Sequence, residues 1–152
     1  MFEIHQYTDD IEVYKNHVLY LKVSRKFNLL GKLSSVFRKG DIVILESTYD
    51  VFLFRKSLSI KHQNLAKNIN LLKSRYNYIL QVEDKNLILK RHYFKNPLYT
   101  VEDDSKIVSE ISTKINGLTD TPIIYTFDVS DDEFELYYLI RFLIEVPPVM
   151  DV

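Results

Sequence analysis

Ser130-Asp131-Asp132-Glu133-Phe134-Glu135-Leu136-Tyr137-Tyr138-Leu139-Ile140-Arg141-Phe142-Leu143-Ile144-Glu145-Val146, stopped by Pro147-Pro148, is the stretch on which the fold turns. It reads as a helix. Ser130 and Glu133 have the S-x-x-E spacing of a capping box, Asp131 and Asp132 suit the positive end of a helix dipole, and the paired prolines forbid continuation. Past Glu133 only Glu135, Arg141 and Glu145 interrupt an apolar and aromatic surface that runs all the way round. A helix apolar on every side must be enclosed, so the rest of the chain is expected to wrap it. Arg141 and Glu145 stand at i, i+4 and are expected to pair near one end of the enclosure, leaving Leu136 to Ile140 in its dry middle.

Upstream, the chain reads mainly as short strands. Phe2 to Thr8 and Ile11 to Lys15 alternate around Asp9-Asp10, and Asn16-His17 turns the chain into Val18 to Ser24, with Leu19, Leu21 and Val23 on one face. Ile42 to Leu45 follows the turn at Lys39-Gly40-Asp41, and Val51 to Phe54 follows Tyr49-Asp50. Residues 57–75 are ambiguous between strand and short helix and are taken as strand, kink, strand. Tyr76 to Val82 and Leu87 to Phe94 form a hairpin about Glu83 to Asn86. Leu98 to Val101, Lys106 to Ile111 and, after Asn116-Gly117 and Pro122, Ile123 to Asp128 complete the series. The residues give about ten short strands and one helix.

The 152 residues fit a single domain over 1–152, and 46% hydrophobic with 27% charged content favours neither disorder nor a membrane class. Net charge is −1, but residues 11–100 carry 17 Lys and Arg against 6 Asp and Glu, and residues 101–152 carry 3 against 12. Two halves of opposite sign are expected to neutralise each other in the fold, with a basic face for a partner as the competing reading. The absence of cysteine excludes disulfides, thiolate metal sites and cysteine nucleophiles. The N-terminus lacks a basic region followed by an apolar run, and the C-terminal helix is too short and too charged to span a bilayer unaided. The expectation is a cytoplasmic protein that is not transmembrane.

No catalytic motif stands out, and the protein is expected not to be an enzyme and to need no cofactor. His5, His17, His62 and His92 are widely spaced and form no H-x-x-x-H or H-E-x-x-H pair. Asp128 to Glu133 offers oxygens at alternate positions but has Glu133 where a calcium loop needs glycine and Leu139 where it needs the distal acid, so no metal site is expected. Gly31, Gly40 and Gly117 stand alone, which excludes a glycine-rich phosphate loop, and Asp9-Asp10 and Asp103-Asp104 fall in turns.

Strand runs ending in basic and aromatic clusters, with an enclosed apolar helix last, resemble the tubby C-terminal-like fold, in particular its small bacterial LURP-one-related members. Arg25-Lys26-Phe27-Asn28-Leu29-Leu30-Gly31, Asp104 to Ile111 and the helix after Ser130 carry the resemblance. It implies a mainly β protein: a closed antiparallel barrel of roughly twelve strands with the C-terminal helix threaded through it. It also implies a basic face for phosphoinositide or other anionic phospholipid headgroups. Lys22, Arg25, Lys26, Lys90 and Arg91 are the candidate set, since clustered ammonium and guanidinium groups are what a polyphosphate or anionic lipid surface requires. The competing reading of these residues is that they keep solvent faces soluble and discourage edge pairing. The expected function is a non-catalytic lipid- or anion-binding module. The alternative is a protein-interaction domain that regulates or neutralises a partner protein. Nucleic acid is disfavoured by net charge and the lack of an RNP-like motif.

Overall fold

Alternation with period two carries most of this chain into strands. In the computed structural model, which describes residues 1–50, 56–75, 77–114, 122–130 and 132–148, they are β1 (Phe2–Gln6), β2 (Asp10–Lys15), β3 (Val18–Phe27), β4 (Lys32–Lys39), β5 (Ile42–Asp50), β6 (Ser57–Gln63), β7 (Ile69–Lys73), β8 (Tyr78–Val82), β9 (Lys85–Arg91), β10 (Tyr99–Asp103), β11 (Lys106–Lys114) and β12 (Ile123–Val129), followed by the helix α1 (Glu135–Leu143). The strand expected over Val51 to Phe54, the start of the hairpin at Tyr76 and the turn at Asn116-Gly117 lie outside the described residues.

All pairings are antiparallel and the sheet runs β6, β5, β4, β3, β2, β1, β12, β11, β10, β9, β8, β7. Pairing of β1 with β12, Phe2 opposite Phe127 and Gln6 opposite Ile123, rolls two meanders into a nearly closed barrel. Bulges at Val13/Tyr14, Phe37/Arg38, Glu46/Ser47 and Val101/Glu102 add the curvature that closure needs. The two terminal strands, β6 and β7, form no ladder with each other. One side chain stitches them: the Gln63 amide donates to the Ile69 carbonyl at 3.0 Å and accepts from the Ile69 amide at 2.8 Å, replacing a ladder pair.

Twelve strands at ~4.8 Å spacing and about 40° tilt enclose a ring roughly 20–25 Å across, wider than side chains alone can fill. α1 fills it. Tyr137 through Leu143 are all buried, and Phe142 meets Tyr99, Tyr125 and Phe127 at ring-centroid distances of 5.3, 5.4 and 6.4 Å. At about 1.5–3 kcal/mol per fully buried large apolar side chain, the helix is a principal source of cohesion for a wall that otherwise touches only its own neighbours.

Three local expectations change. The capping box does not form: the Asp132 carboxylate accepts the Phe134 amide at 2.7 Å, and the helix starts at Glu135 without a side-chain bond from its N-cap residue. An aspartate bonding two residues ahead sets a turn, which delays the first helical residue. β4 has no counterpart in the sequence reading, because Ser35 interrupts its apolar face between Leu33 and Phe37; Ser35 is buried opposite the equally buried Ser47 of β5. In β3 the bulge admits an extra residue at Tyr20, so Tyr20 leans against Phe2 at 5.1 Å and Leu19 is exposed rather than inward.

Candidate functional site

Because neighbouring strands alternate direction, all odd-numbered strands end at one rim of the barrel. That rim is where the tail leaves α1: Gln6 at the end of β1 donates to the Pro147 carbonyl at 2.6 Å. The opposite rim receives the start of α1, where Lys15 at the end of β2 meets Glu135 at 2.7 Å.

The charge asymmetry of the sequence is largely consumed across these rims. Lys15–Glu135, Lys56–Glu145, Lys67–Glu133, Lys85–Asp103 and Lys90–Glu102 each join the basic stretch to the acidic one. The expected neutralisation is thus visible pair by pair.

At the tail rim the wall is split. β8 and β9 pair through Leu80–Leu87, Gln81–Asn86 and Val82–Lys85, and beyond Leu87 the rest of β9 pairs with β10 alone. Arg141, fully buried, fills the fork. Its Nε donates to the Leu87 carbonyl at 3.3 Å, Nη2 to the Tyr78 carbonyl at 3.0 Å and to Asn77 Oδ1 at 3.2 Å, and Nη1 to Glu145 Oε2 at 2.8 Å. The expected Arg141–Glu145 pair is present, and it is structural. Burial pulls the Arg141 pKa down, and Glu145 opposes the shift.

Above this fork lies a cavity of about 1220 Å³. Its walls come from the end of β5, the start of β6, the end of β7, the start of β8, the ends of β9 and the tail. Lys56, Lys73, Arg75, Lys90, Arg91 and His92 line it, against Asp50 and Glu145. Lys56 is 3.7 Å from Glu145 and Lys90 is 3.1 Å from Glu102. Lys73 and Arg91 form no ion pair among the described residues. They rest on rings instead: the Lys73 ammonium 6.0 Å from the Tyr78 centroid, the Arg91 guanidinium 5.1 Å from that of Tyr93 and 5.8 Å from that of Tyr99. Tyr99 is buried and its hydroxyl pKa is raised by desolvation, so it stays neutral beneath the cations. His92 is held through its Nε2, 2.8 Å from Thr100 Oγ1.

The five residues proposed from sequence do not share a face. β3 and β9 are six places apart in a twelve-strand order, on opposite walls. Lys22 and Lys26 are exposed on the outer surface of β3, where Lys22 stands between Glu12 and Arg38 of the adjoining strands. Arg25 points inward and is buried, donating to the Val146 carbonyl at 2.6 Å, with no partner for its Nε among the described residues. It ties down the tail and is corrected from ligand site to structural tether. Burial lowers its pKa to about 10. Lys90 and Arg91 reach the cavity, and Lys56, Lys73, Arg75 and His92 join them. Strand parity holds the signal for Arg25 and Arg91: each continues the inward row of its strand, Leu21-Val23-Arg25 and Leu87-Leu89-Arg91. Nothing local marks Lys56 or Lys73, which converge only through barrel closure.

Among the described residues no group of histidines and carboxylates could hold a metal ion, and no helix is long and apolar enough to cross a membrane. No protein-family model, no curated protein and no solved structure significantly matches this chain.

Proposed function

We propose that the protein is a non-catalytic binding module whose tail-rim cavity holds a phosphorylated anion, of the kind carried by anionic phospholipid and phosphoinositide headgroups. One observation supports this reading above the rest: Lys73 and Arg91 line a roomy open cavity without a carboxylate partner among the described residues, whereas Lys15, Lys67 and Lys85 at the other rim are each paired. A phosphate there gains charge-assisted bonds from an arginine already aligned on two rings and a lysine across the opening, with Lys56, Lys90 and Arg75 adding positive potential. Kinship with the tubby C-terminal-like fold is proposed on the same footing, carried by the order of twelve strands and one central helix.

Calorimetric titration with inositol trisphosphate at two salt concentrations tests the cavity. Binding that weakens with salt, and falls about tenfold or more in Lys73→Ala/Arg91→Ala, is expected. Lys22→Ala/Lys26→Ala, on the far outer wall, leaves affinity within about twofold. No heat of binding at low salt, or equal losses in both double variants, overturns the assignment.

A further inference from the structure

The tail rim carries a second anomaly, which shares only Tyr93 with the cavity. Leu29 and Phe94 are as exposed as in an extended chain, at 106% and 105%, and their neighbours Leu30 and Tyr93 are exposed at 71% and 68%. Both tips are built. In the β3–β4 turn the Asn28 side-chain oxygen accepts the Leu30 and Lys32 amides at 3.0 and 2.9 Å, and Gly31 supplies the left-handed residue with φ 84°. The β9–β10 loop is closed at its base by the His92 amide on the Leu98 carbonyl at 2.8 Å, and Phe94 sits at its apex with φ 59°, a conformation that costs a non-glycine residue free energy. An exposed phenylalanine on a strained apex gains nothing within the monomer.

β3 and β9 run in the same direction on opposite walls, so the two apolar tips project from the same rim, roughly a barrel diameter apart. Each is bracketed by cations, the first by Lys26 and Lys32, the second by Arg91 and Lys95. Two separated apolar points at one rim, each flanked by basic residues and sharing that rim with a cationic cavity, match a boundary between acyl chains and anionic headgroups. Aromatic and leucine side chains enter such a boundary while lysines stay at headgroup depth. We infer that the tail rim docks on an anionic bilayer, with Leu29-Leu30 and Tyr93-Phe94 inserted and the cavity facing the headgroups. Asp9 and Asp10 on the neighbouring β1–β2 turn oppose this face, so the apolar tips rather than net charge must carry the attachment. The inference rests on the cavity reading for the headgroup beneath the barrel, but the tips are tested separately.

The chain has no tryptophan, so Leu29→Trp and Phe94→Trp each give a single reporter, with Ile42→Trp at the opposite rim as the control. On phosphatidylcholine–phosphatidylserine vesicles both tip reporters are expected to shift blue and be quenched by brominated acyl chains, and Ile42→Trp to do neither. Leu29→Ser/Phe94→Ser should weaken vesicle binding about tenfold or more and leave inositol trisphosphate affinity unchanged. Tip insertion without inositol trisphosphate binding removes the cavity reading and keeps the docking. Inositol trisphosphate binding with unquenched tips removes the docking and keeps the cavity. Quenching at all three positions, or a blue shift that follows self-association without vesicles, also overturns the docking.

Discussion

The two rims of one barrel hold cations differently, although each mixes pairs with ring contacts: Lys56 and Lys90 are paired at the tail rim, and Lys39 rests 4.5 Å from the Tyr20 centroid at the other. Where α1 begins, Lys15 meets Glu135, Lys67 bridges Glu83 and Glu133, and Lys85 meets Asp103, while Lys67 and Lys85 also approach the Phe134 ring to 5.2 and 4.7 Å. Where α1 ends, main-chain carbonyls of the tail occupy Gln6 and Arg25, and Lys73 and Arg91 are left leaning on tyrosines above an open fork. The same residue types therefore serve two purposes. A lysine with a carboxylate at each rotamer is a closure, worth about a kcal/mol at best on a surface. A cation held by a ring keeps its charge available.

The largest test removes what both rims share. Leu139 is fully buried midway along α1. Leu139→Asp puts an unpaired carboxylate in that interior, and loss of cooperative folding is expected, since the penalty of several kcal/mol approaches the whole stability of a domain. A soluble mutant with a sharp melting transition would show that the helix is not the axle of the barrel.

The next separates the rims. Arg141→Met removes the guanidinium from the fork, leaves the carbonyls of Leu87 and Tyr78 buried without it and leaves the half-buried Glu145 paired with Lys56. A loss of about 3–5 kcal/mol in denaturant unfolding is expected, with amide exchange accelerated first around Asn77 to Leu80 and Leu89. Uniform acceleration that reaches the Lys85–Asp103 corner equally would mean that the fork is not a separate weak point.

Much of this architecture was legible. The enclosed helix follows from Phe134 to Val146 being apolar on every side, and hairpins such as Tyr78 to Arg91 follow from alternation about a turn. β4 was hidden because Ser35 and Ser47 face each other inside the wall, where a polar residue reads as outward. The site was less legible for a different reason. Lys22, Arg25 and Lys26 lie close together on one strand but point out, in and out, and adjacency along a strand is opposition in space. Lys56, Lys73 and Arg91 are far apart in the chain and meet only because twelve strands return on themselves. Local pattern specifies which way a side chain points; it does not specify which distant strand it will face.

The smallest effect sharpens the comparison through pH. Burial holds the tail-rim tyrosines Tyr49 and Tyr125 up at about 12, above their ordinary value of 10.0. The folded form keeps protons that the unfolded chain releases, so their contribution is complete below pH 10 and is lost as pH rises from 10 towards 12. Arg25 acts in the opposite sense. Lowered to about 10 by the same burial, it gives up in the folded state a proton the unfolded chain retains, so stability rises with pH above about 10. Two tyrosines against one arginine leave a net fall. Tyr49→Phe cancels one of the two, and its hydroxyl forms no hydrogen bond among the described residues, so the variant should match the parent at pH 8 and lose less stability between pH 10 and 11.5. Groups that do not interact with Tyr49, including the raised Tyr138 at the other rim, drop out of the difference, whereas Arg25, which interacts with Tyr49, shifts with it. Urea titrations at the two pH values measure it. Parallel alkaline limbs would mean that Tyr49 ionises as freely folded as unfolded, and that the tail rim admits water beneath its cations, down to the layer on which Arg25 holds the chain.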